Sequence, residues 1–139
     1  MDTEERIFMK KKVRNGLFVV LAIILLLVIL VVIQFISTKK KVDSLVNVEI
    51  DMNQVADGTY TGSSDVGLVK AEVEVEVKEH KIVNINLLKH QCGKGQPAES
   101  TLNDMIKNNT DNVDTVSGAT TSSKTIRNAV NNALQKGLK

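Results

Sequence analysis

Three kinds of hydrophobic pattern follow one another along the chain. An unbroken apolar run occupies residues 17–36, in which Gln34 is the only polar side chain. Apolar and polar residues then alternate over residues 68–87, and apolar positions recur at helical spacing over 98–106 and 126–134. Twenty helical residues are long enough to cross a hydrocarbon core of ~30 Å. The patterns therefore predict one transmembrane helix followed by an α+β domain, a small antiparallel sheet packed with two short helices.

The alternating region predicts a β-hairpin. A polar turn at Glu79-His80 separates two runs in which every second residue is apolar, so each strand buries one face and exposes the other. The turn-rich DGTYTG at 57–62 predicts a further strand. Charged residues on the outer face of the first run are typical of a solvated strand rather than a cation site. The predicted inward residues are Val69, Ala71, Val73, Val75 and Val77 in the first run, and Val83, Ile85 and Leu87 in the second.

Two amphipathic helices are predicted after the hairpin. Pro97 suits a first helical turn, and Gly137 is expected to end the second helix. Their apolar stripes are Ala98, Leu102, Met105 and Ile106 for the first, and Ile126, Ala129, Val130, Ala133 and Leu134 for the second.

Charges flanking the apolar run predict its orientation. Five basic residues precede it within residues 1–16, and Lys39, Lys40 and Lys41 follow it. The excess favours a cytoplasmic N-terminus and an extracytoplasmic domain. A cleaved signal peptide is the competing interpretation, but its apolar core is shorter, ~7–15 residues. The predicted organisation is a cytoplasmic tail at 1–16, a transmembrane helix at 17–36, a juxtamembrane spacer at 37–56 and a folded domain at 57–139.

Composition excludes several classes of function. The net charge is +2, but the residues before Val42 carry eight basic and three acidic side chains, so residues 42–139 are net negative and offer no basic face for nucleic acid. The single cysteine, Cys92, excludes an internal disulfide and a multi-cysteine zinc site.

Hydroxyl residues cluster just before the second amphipathic helix, in DTVSGATTSSK at 114–124. A helix N-terminus has free backbone N–H groups and favours an anion. In the simplest alternative, Ser122 or Ser123 is only an N-cap. That alternative leaves the preceding Ser-Gly-Ala-Thr unexplained, where Gly118 permits a positive φ and Thr120 presents an alcohol.

The segment from Asp114 to Thr120 resembles the D-x-x-[S/T]-G-A-T flavinylation motif of the FMN-binding domain family. This family includes flavoprotein subunits of the sodium-pumping NADH:quinone reductase and of the Rnf complex, and small single-domain proteins of Gram-positive bacterial surfaces, which the chain resembles most. His90-Gln-Cys-Gly-Lys-Gly-Gln-Pro-Ala-Glu99 is similar to the family's H-x-x-G-x-G-x-x-A-E segment. The resemblance covers about residues 57–138.

The resemblance implies covalent FMN. A flavin transferase that uses FAD and a divalent cation would join the FMN phosphate to Thr120 as a phosphoester. Asp114 and Ser117 match motif positions that the transferase reads. The other residues implied at the cofactor are Ser117, Gly118, Ala119, Thr121, Ser122 and Ser123 at the phosphate, and His90, Gly93 and Gly95 along the flavin. His90 could instead be a surface histidine, Tyr60 could stack on the flavin or be buried in its strand, and Cys92 lies between family positions.

The implied function is an electron carrier anchored in the membrane rather than a stand-alone enzyme. The expected partners are the flavin transferase and a membrane dehydrogenase or quinone-linked electron donor. The chain lacks the longer Thr-Pro-Gly-containing segment associated with the respiratory-complex members. The resemblance therefore does not directly imply their role in ion pumping. An accessory subunit of an Rnf-like complex and a non-redox surface module remain the alternatives.

Overall fold

The computed structural model describes residues 2–139, which divide into two compact units at Ile36. Helix α1, Thr3–Asp43, contains the apolar run and extends beyond it at both ends. It is the one helix in the described chain that is long and apolar enough to cross a membrane, and none of its most apolar window is buried. The second unit, Ser37–Lys139, is described below.

A three-stranded antiparallel sheet forms one layer of the second unit. Its strands are β1, Gly58–Asp65, β2, Lys70–Lys78, and β3, Lys81–Gln91, and they lie in the order β1-β2-β3. Short 3-10 turns at Met52–Gln54 and Gln96–Ser100 lie before and after the sheet. The predicted α+β class is confirmed.

Two helices complete the fold. Helix α2 spans Thr101–Asn108 and lies against β3, and helix α3 spans Thr120–Gln135 and packs on β1 and β2. The predicted stripe of α3 is entirely buried, and so are Ala71, Val73, Val75 and Val77 of β2. Val69, predicted on the same inward face, precedes β2 and is buried in a separate small cluster. Burial of one face of the sheet under α3 therefore forms the core, and the acidic face of β2 points away from it.

The predicted inward face of β3 was wrong at its first position. Val83 is 44% exposed, whereas Ile82 and Ile85 are buried. The pairing with β2 shifts by one residue between Glu76 and Val77 and again between Glu72 and Val73. Each extra residue in β3 interrupts the strict alternation, because a bulge places two residues opposite one on the partner strand.

The turn between β2 and β3 was placed correctly. Glu79 and His80 both have positive φ, 50° and 60°, as expected for a two-residue hairpin loop. Hydrogen bonds from the backbone N–H groups of Glu79 and His80 lower the pKa of the Asp57 carboxyl, since they stabilise its charged form.

The end of α3 differs from the prediction. The helix stops at Gln135, and Gly137 does not adopt the left-handed conformation of a glycine cap. Gly137 has a steric role instead. A Cβ there would lie 2.8 Å from ring atoms of Tyr60, so the glycine makes room for the tyrosine.

The segment between α1 and β1 joins the domain through α3. Asn131 donates to Val48 O at 2.7 Å and accepts from Val48 N at 3.1 Å. Asn128 donates to Val46 O at 3.2 Å. Val55 and Met52 belong to the main hydrophobic core. Much of the stretch predicted as a spacer is therefore packed on the domain.

Candidate functional site

The loop that carries the hydroxyl motif leads directly into α3. Thr120 is the first residue of the helix and Ala119 occupies the N-cap position, with no side-chain hydrogen bond capping the helix. Gly118 has φ +79°, a conformation that glycine adopts without a steric penalty. The helix therefore begins earlier than a cap at Ser122 or Ser123 would place it, and both serines lie within its first turn.

Unpaired backbone donors converge at this helix start. The N–H groups of Thr120, Thr121 and Ser122 donate to no atom in residues 2–139, and the first paired N–H is that of Ser123, which reaches Ala119 O at 2.9 Å. Such donors, with the positive end of the helix dipole, favour a negatively charged ligand. The arrangement is chemically suited to a phosphate group.

The hydroxyls of the cluster divide into structural and free groups. The Ser123 hydroxyl accepts from Val116 N and donates to Ala119 O, both at 3.0 Å, and this side chain is fully buried. By contrast, Ser117 and Thr120 are exposed, and their hydroxyls form no hydrogen bond within the described residues. Thr120 therefore presents an accessible alcohol beside the free N–H groups, as the sequence predicts.

The glycine-rich segment after β3 lies against the first turn of α3. A Cβ built at Gly95 would be 1.9 Å from the Ser122 hydroxyl oxygen and 2.7 Å from its Cβ, so only glycine fits the observed approach. The turn is closed by a hydrogen bond of 2.8 Å from Gly95 N to Cys92 O. Two segments that are more than twenty residues apart in sequence thus meet at the start of α3.

A hydrogen-bonded pair of side chains spans the same glycine-rich segment. The Nδ1 atom of His90 lies 2.8 Å from Oε1 of Glu99, and the exposed fractions of the two side chains are 3% and 38%. The Nε2 atom of His90 is buried and has no hydrogen-bond partner within residues 2–139. His90 is therefore not a surface histidine. Glu99 was quoted in the family segment but was not singled out as a site residue.

Not every candidate lies in contact with this cluster. Gly93, with φ +52°, is exposed and has open space beside it. Asp114 is exposed in the loop and makes no hydrogen bond within the described residues. Tyr60 packs at Gly137 and donates to Ala56 O at 2.9 Å, which places it at the opposite end of α3 from Thr120. A helix of 16 residues is ~24 Å long, so Tyr60 is far from the hydroxyl loop.

Comparison with known protein families identifies the domain. A family model described as FMN-binding domain matches residues 67–135, a range that contains β2, β3, α2, the hydroxyl loop and α3. The domain belongs to the FMN-binding domain family. No significant match was found among curated proteins or among solved structures. The expected family is thereby confirmed, and a chain with one candidate membrane helix carries an FMN-binding domain.

The residues of the FMN-binding domain fit the cofactor that its family implies. The free N–H groups of α3 provide donors for a phosphate, and Thr120 and Ser117 provide hydroxyls. The segment that begins at His90 contacts the same turn, and the buried Nε2 of His90 has no hydrogen-bond partner within residues 2–139. The cluster therefore has the chemistry needed to hold FMN by its phosphate end.

Proposed function

We propose that this protein is a membrane-anchored, extracytoplasmic electron carrier that holds FMN through a phosphoester on Thr120. The observation that carries the proposal is the position of the Thr120 hydroxyl. It is exposed, unpaired within the described residues, and placed at the first residue of a helix whose initial N–H groups are free. The matching D-x-x-S-G-A-T spacing from Asp114 supports it.

The proposed attachment is a phosphoryl transfer from FAD. The Thr120 oxygen forms a bond to the phosphorus on the flavin side, AMP leaves, and the hydroxyl proton is released, with a flavin transferase and a divalent cation as the catalyst. The resulting diester keeps one negative charge, which the N–H groups of Thr121 and Ser122 and the helix dipole stabilise. Bound FMN supplies the ability to accept and release electrons, while the protein orients the ring.

An extracytoplasmic location accounts for the use of a covalent bond. The excess of basic residues before the apolar run favours a cytoplasmic N-terminus, which places the domain outside. A weakly bound flavin there would be lost by dilution, whereas an ester-linked flavin stays with the anchor. Its electrons would come from a membrane dehydrogenase or a quinone-linked donor in the same membrane.

Attachment is tested by making the full chain together with a flavin transferase. The wild type should give a fluorescent band after denaturing electrophoresis and an intact mass increased by one FMN less one water. Thr120→Val should lose both signals. Thr115→Val is the matched control, because Thr115 is an exposed threonine in the same loop that is not placed at the phosphate, and it should keep them. A fluorescent Thr120→Val band would refute the attachment site.

Orientation can be tested with the single cysteine. Cys92 is partly exposed and lies in the domain, so a membrane-impermeant maleimide should label it in intact cells or spheroplasts. Cys92→Ser gives the background. Labelling only after permeabilisation would place the domain in the cytoplasm and refute the proposed topology.

Electron transfer is tested in membranes that contain the flavinylated chain. Addition of a reduced quinone, or of a substrate for a membrane dehydrogenase, should bleach the flavin absorbance of the wild type. Thr120→Val membranes provide the baseline. A fully loaded flavin that no membrane donor reduces would refute the carrier role but leave the attachment intact.

A further inference from the structure

His90 points toward the helical side of the sheet at the end of β3. It pairs in register with Ala71, which is 2% exposed and belongs to the core. Its imidazole is 3% exposed, and Nδ1 lies 2.8 Å from Oε1 of Glu99 in the following 3-10 turn. The histidine is therefore fixed by a single polar contact, and that contact comes from Glu99.

This contact determines which ring nitrogen carries the proton. An ionised carboxylate can only accept, so Nδ1 of His90 must donate to Glu99. In the neutral imidazole, Nε2 then keeps its lone pair and is an acceptor. No donor reaches Nε2 within residues 2–139, although the atom is buried. Buried polar atoms nearly always form a hydrogen bond, so we expect Nε2 to accept one from a donor outside the described residues.

The segment that joins the unpaired acceptor to Glu99 contacts the proposed phosphate site. The segment that joins His90 to Glu99 contains Gly95, which lies against Ser122 in the first turn of α3. A donor that reaches Nε2 is therefore expected to be part of a molecule held at that turn. A phosphodiester has no donor at neutral pH, whereas the ribityl chain bonded to the phosphate of FMN carries hydroxyl groups.

We infer that Glu99 is a positioning residue: it holds His90 with Nδ1 protonated, so that Nε2 accepts a hydrogen bond from a ribityl hydroxyl of FMN. The inference rests on the proposed function. If His90 were instead an imidazolium, Nε2 would donate to the phosphate, and the experiment separates the two arrangements.

The tautomer is tested first, on the flavin-free full chain in detergent micelles with 15N-labelled histidine. The chain has two histidines, and His80 serves as an internal reference because its Nδ1 lies 2.9 Å from Val55 O, independently of Glu99. The nitrogen shifts of His90 should show a protonated Nδ1 and a bare Nε2. Glu99→Gln, which keeps an acceptor oxygen, should preserve this pattern.

Glu99→Ala should shift the His90 ring toward the tautomer protonated at Nε2 and leave the His80 signals unchanged. Unchanged His80 signals also show that the variant is folded. A wild-type His90 that is protonated at Nε2, or a Glu99→Ala spectrum identical to the wild type, overturns the inference whether or not Thr120 carries FMN.

The flavinylated chain tests the ligand contact. The Nε2 signal of His90 should move upfield, as expected for an acceptor that gains a hydrogen bond, while Nε2 remains without its own proton. An unchanged Nε2 signal, or an imidazolium with both nitrogens protonated, overturns the ribityl contact and leaves the attachment to Thr120 intact. Absence of FMN in the intact mass is the separate failure of the proposed function, and the ribityl contact fails with it.

Discussion

Within the candidate site, the contact between Gly95 and Ser122 should be the one most sensitive to an added side-chain atom. At φ −84° and ψ 5°, Gly95 has a backbone conformation that alanine can also adopt, so Gly95→Ala introduces no backbone strain. The new Cβ would instead lie 1.9 Å from the Ser122 oxygen and 3.0 Å from Cys92 O. The substitution is therefore a purely steric probe of the packing of the loop on α3.

The expected magnitude follows from two opposing terms. Overpacking a tight contact costs about 1–3 kcal/mol. Replacing glycine by alanine restricts the unfolded chain, which raises the free energy of unfolding by about 0.4–1 kcal/mol where alanine can adopt the native backbone conformation. Because the nearest clash involves a side chain on a helix that is packed on the sheet, we expect a net loss of about 1–2 kcal/mol in the free energy of unfolding.

A double-mutant cycle isolates the contact. In Gly95→Ala with Ser122→Ala, the nearest atom is removed, while the Cβ of residue 122, at 2.7 Å, and Cys92 O, at 3.0 Å, remain close. Urea unfolding of the full chain in detergent, followed by far-UV circular dichroism, should give a favourable coupling energy of about 0.5 kcal/mol or more. Gly93→Ala is the control: Gly93 has open space but φ +52°, so its cost should not depend on Ser122.

Strict additivity of Gly95→Ala and Ser122→Ala would refute the proximity of the loop to α3. Flavinylation provides a second measurement. Gly95→Ala should slow loading of Thr120 by the transferase more than Gly93→Ala does, since it displaces the segment that lies on the first turn of α3. Equal loading rates would show that this segment does not shape the acceptor site.

Two further predictions concern the rest of the domain. Asn131→Ala should lower the free energy of unfolding by about 2 kcal/mol, measured by urea titration. Asn131 is fully buried and donates at 2.8 Å to the buried carboxylate of Asp111, so the substitution leaves that carboxylate without this donor. As a control, Asn108→Ala should change the free energy of unfolding very little, because Asn108 is exposed. Asp65 forms an ion pair of 2.8 Å with Lys70, and this hydrogen bond, followed by that from Gly67 N, lowers the pKa of Asp65 from 3.8. Its stabilising contribution is therefore present above that value and is lost as the pH falls through the lowered pKa. Asp65→Asn should be less stable than wild type at neutral pH, and the difference should shrink in acid. An equal difference at neutral and acidic pH would contradict the assignment.

The sequence pattern predicted the elements that bury apolar side chains. Alternation in β2 and helical spacing in α3 each have one dominant period, so the type of element and the buried face followed from the positions of the valines, Ile126 and Leu134. The exposed Val83 was mispredicted because it is the extra residue of a bulge in β3, and a bulge cannot be recognised from the periodicity of the sequence.

Contacts made by polar side chains could not be predicted in the same way. Asn128 and Asn131 bind backbone groups of residues 46–48 from more than eighty positions away, and asparagine in a helical stripe gives no hydrophobic signal. The hydrogen bond between His90 and Glu99 was equally unpredictable, since nine positions and a glycine-rich turn separate the two residues. The position of Glu99 in the family segment was the one sequence feature that could have marked it as a site residue. Its hydrogen bond to His90 is visible only in the structure.

The location of the one aromatic residue in the domain explains why a covalent bond would be needed. Tyr60 is the only aromatic residue in residues 37–139, and it packs at the end of α3 opposite Thr120. Stacking on an aromatic side chain is a major source of affinity for planar ligands. A flavin held at the start of α3 would have no such aromatic partner from this domain, so polar contacts to its phosphate and ribityl chain would have to hold it. An ester at Thr120, as proposed, would remove the dependence on non-covalent affinity, because the tether would keep the flavin at the domain whatever its dissociation constant. It would also leave the ring free to meet a donor and an acceptor in turn.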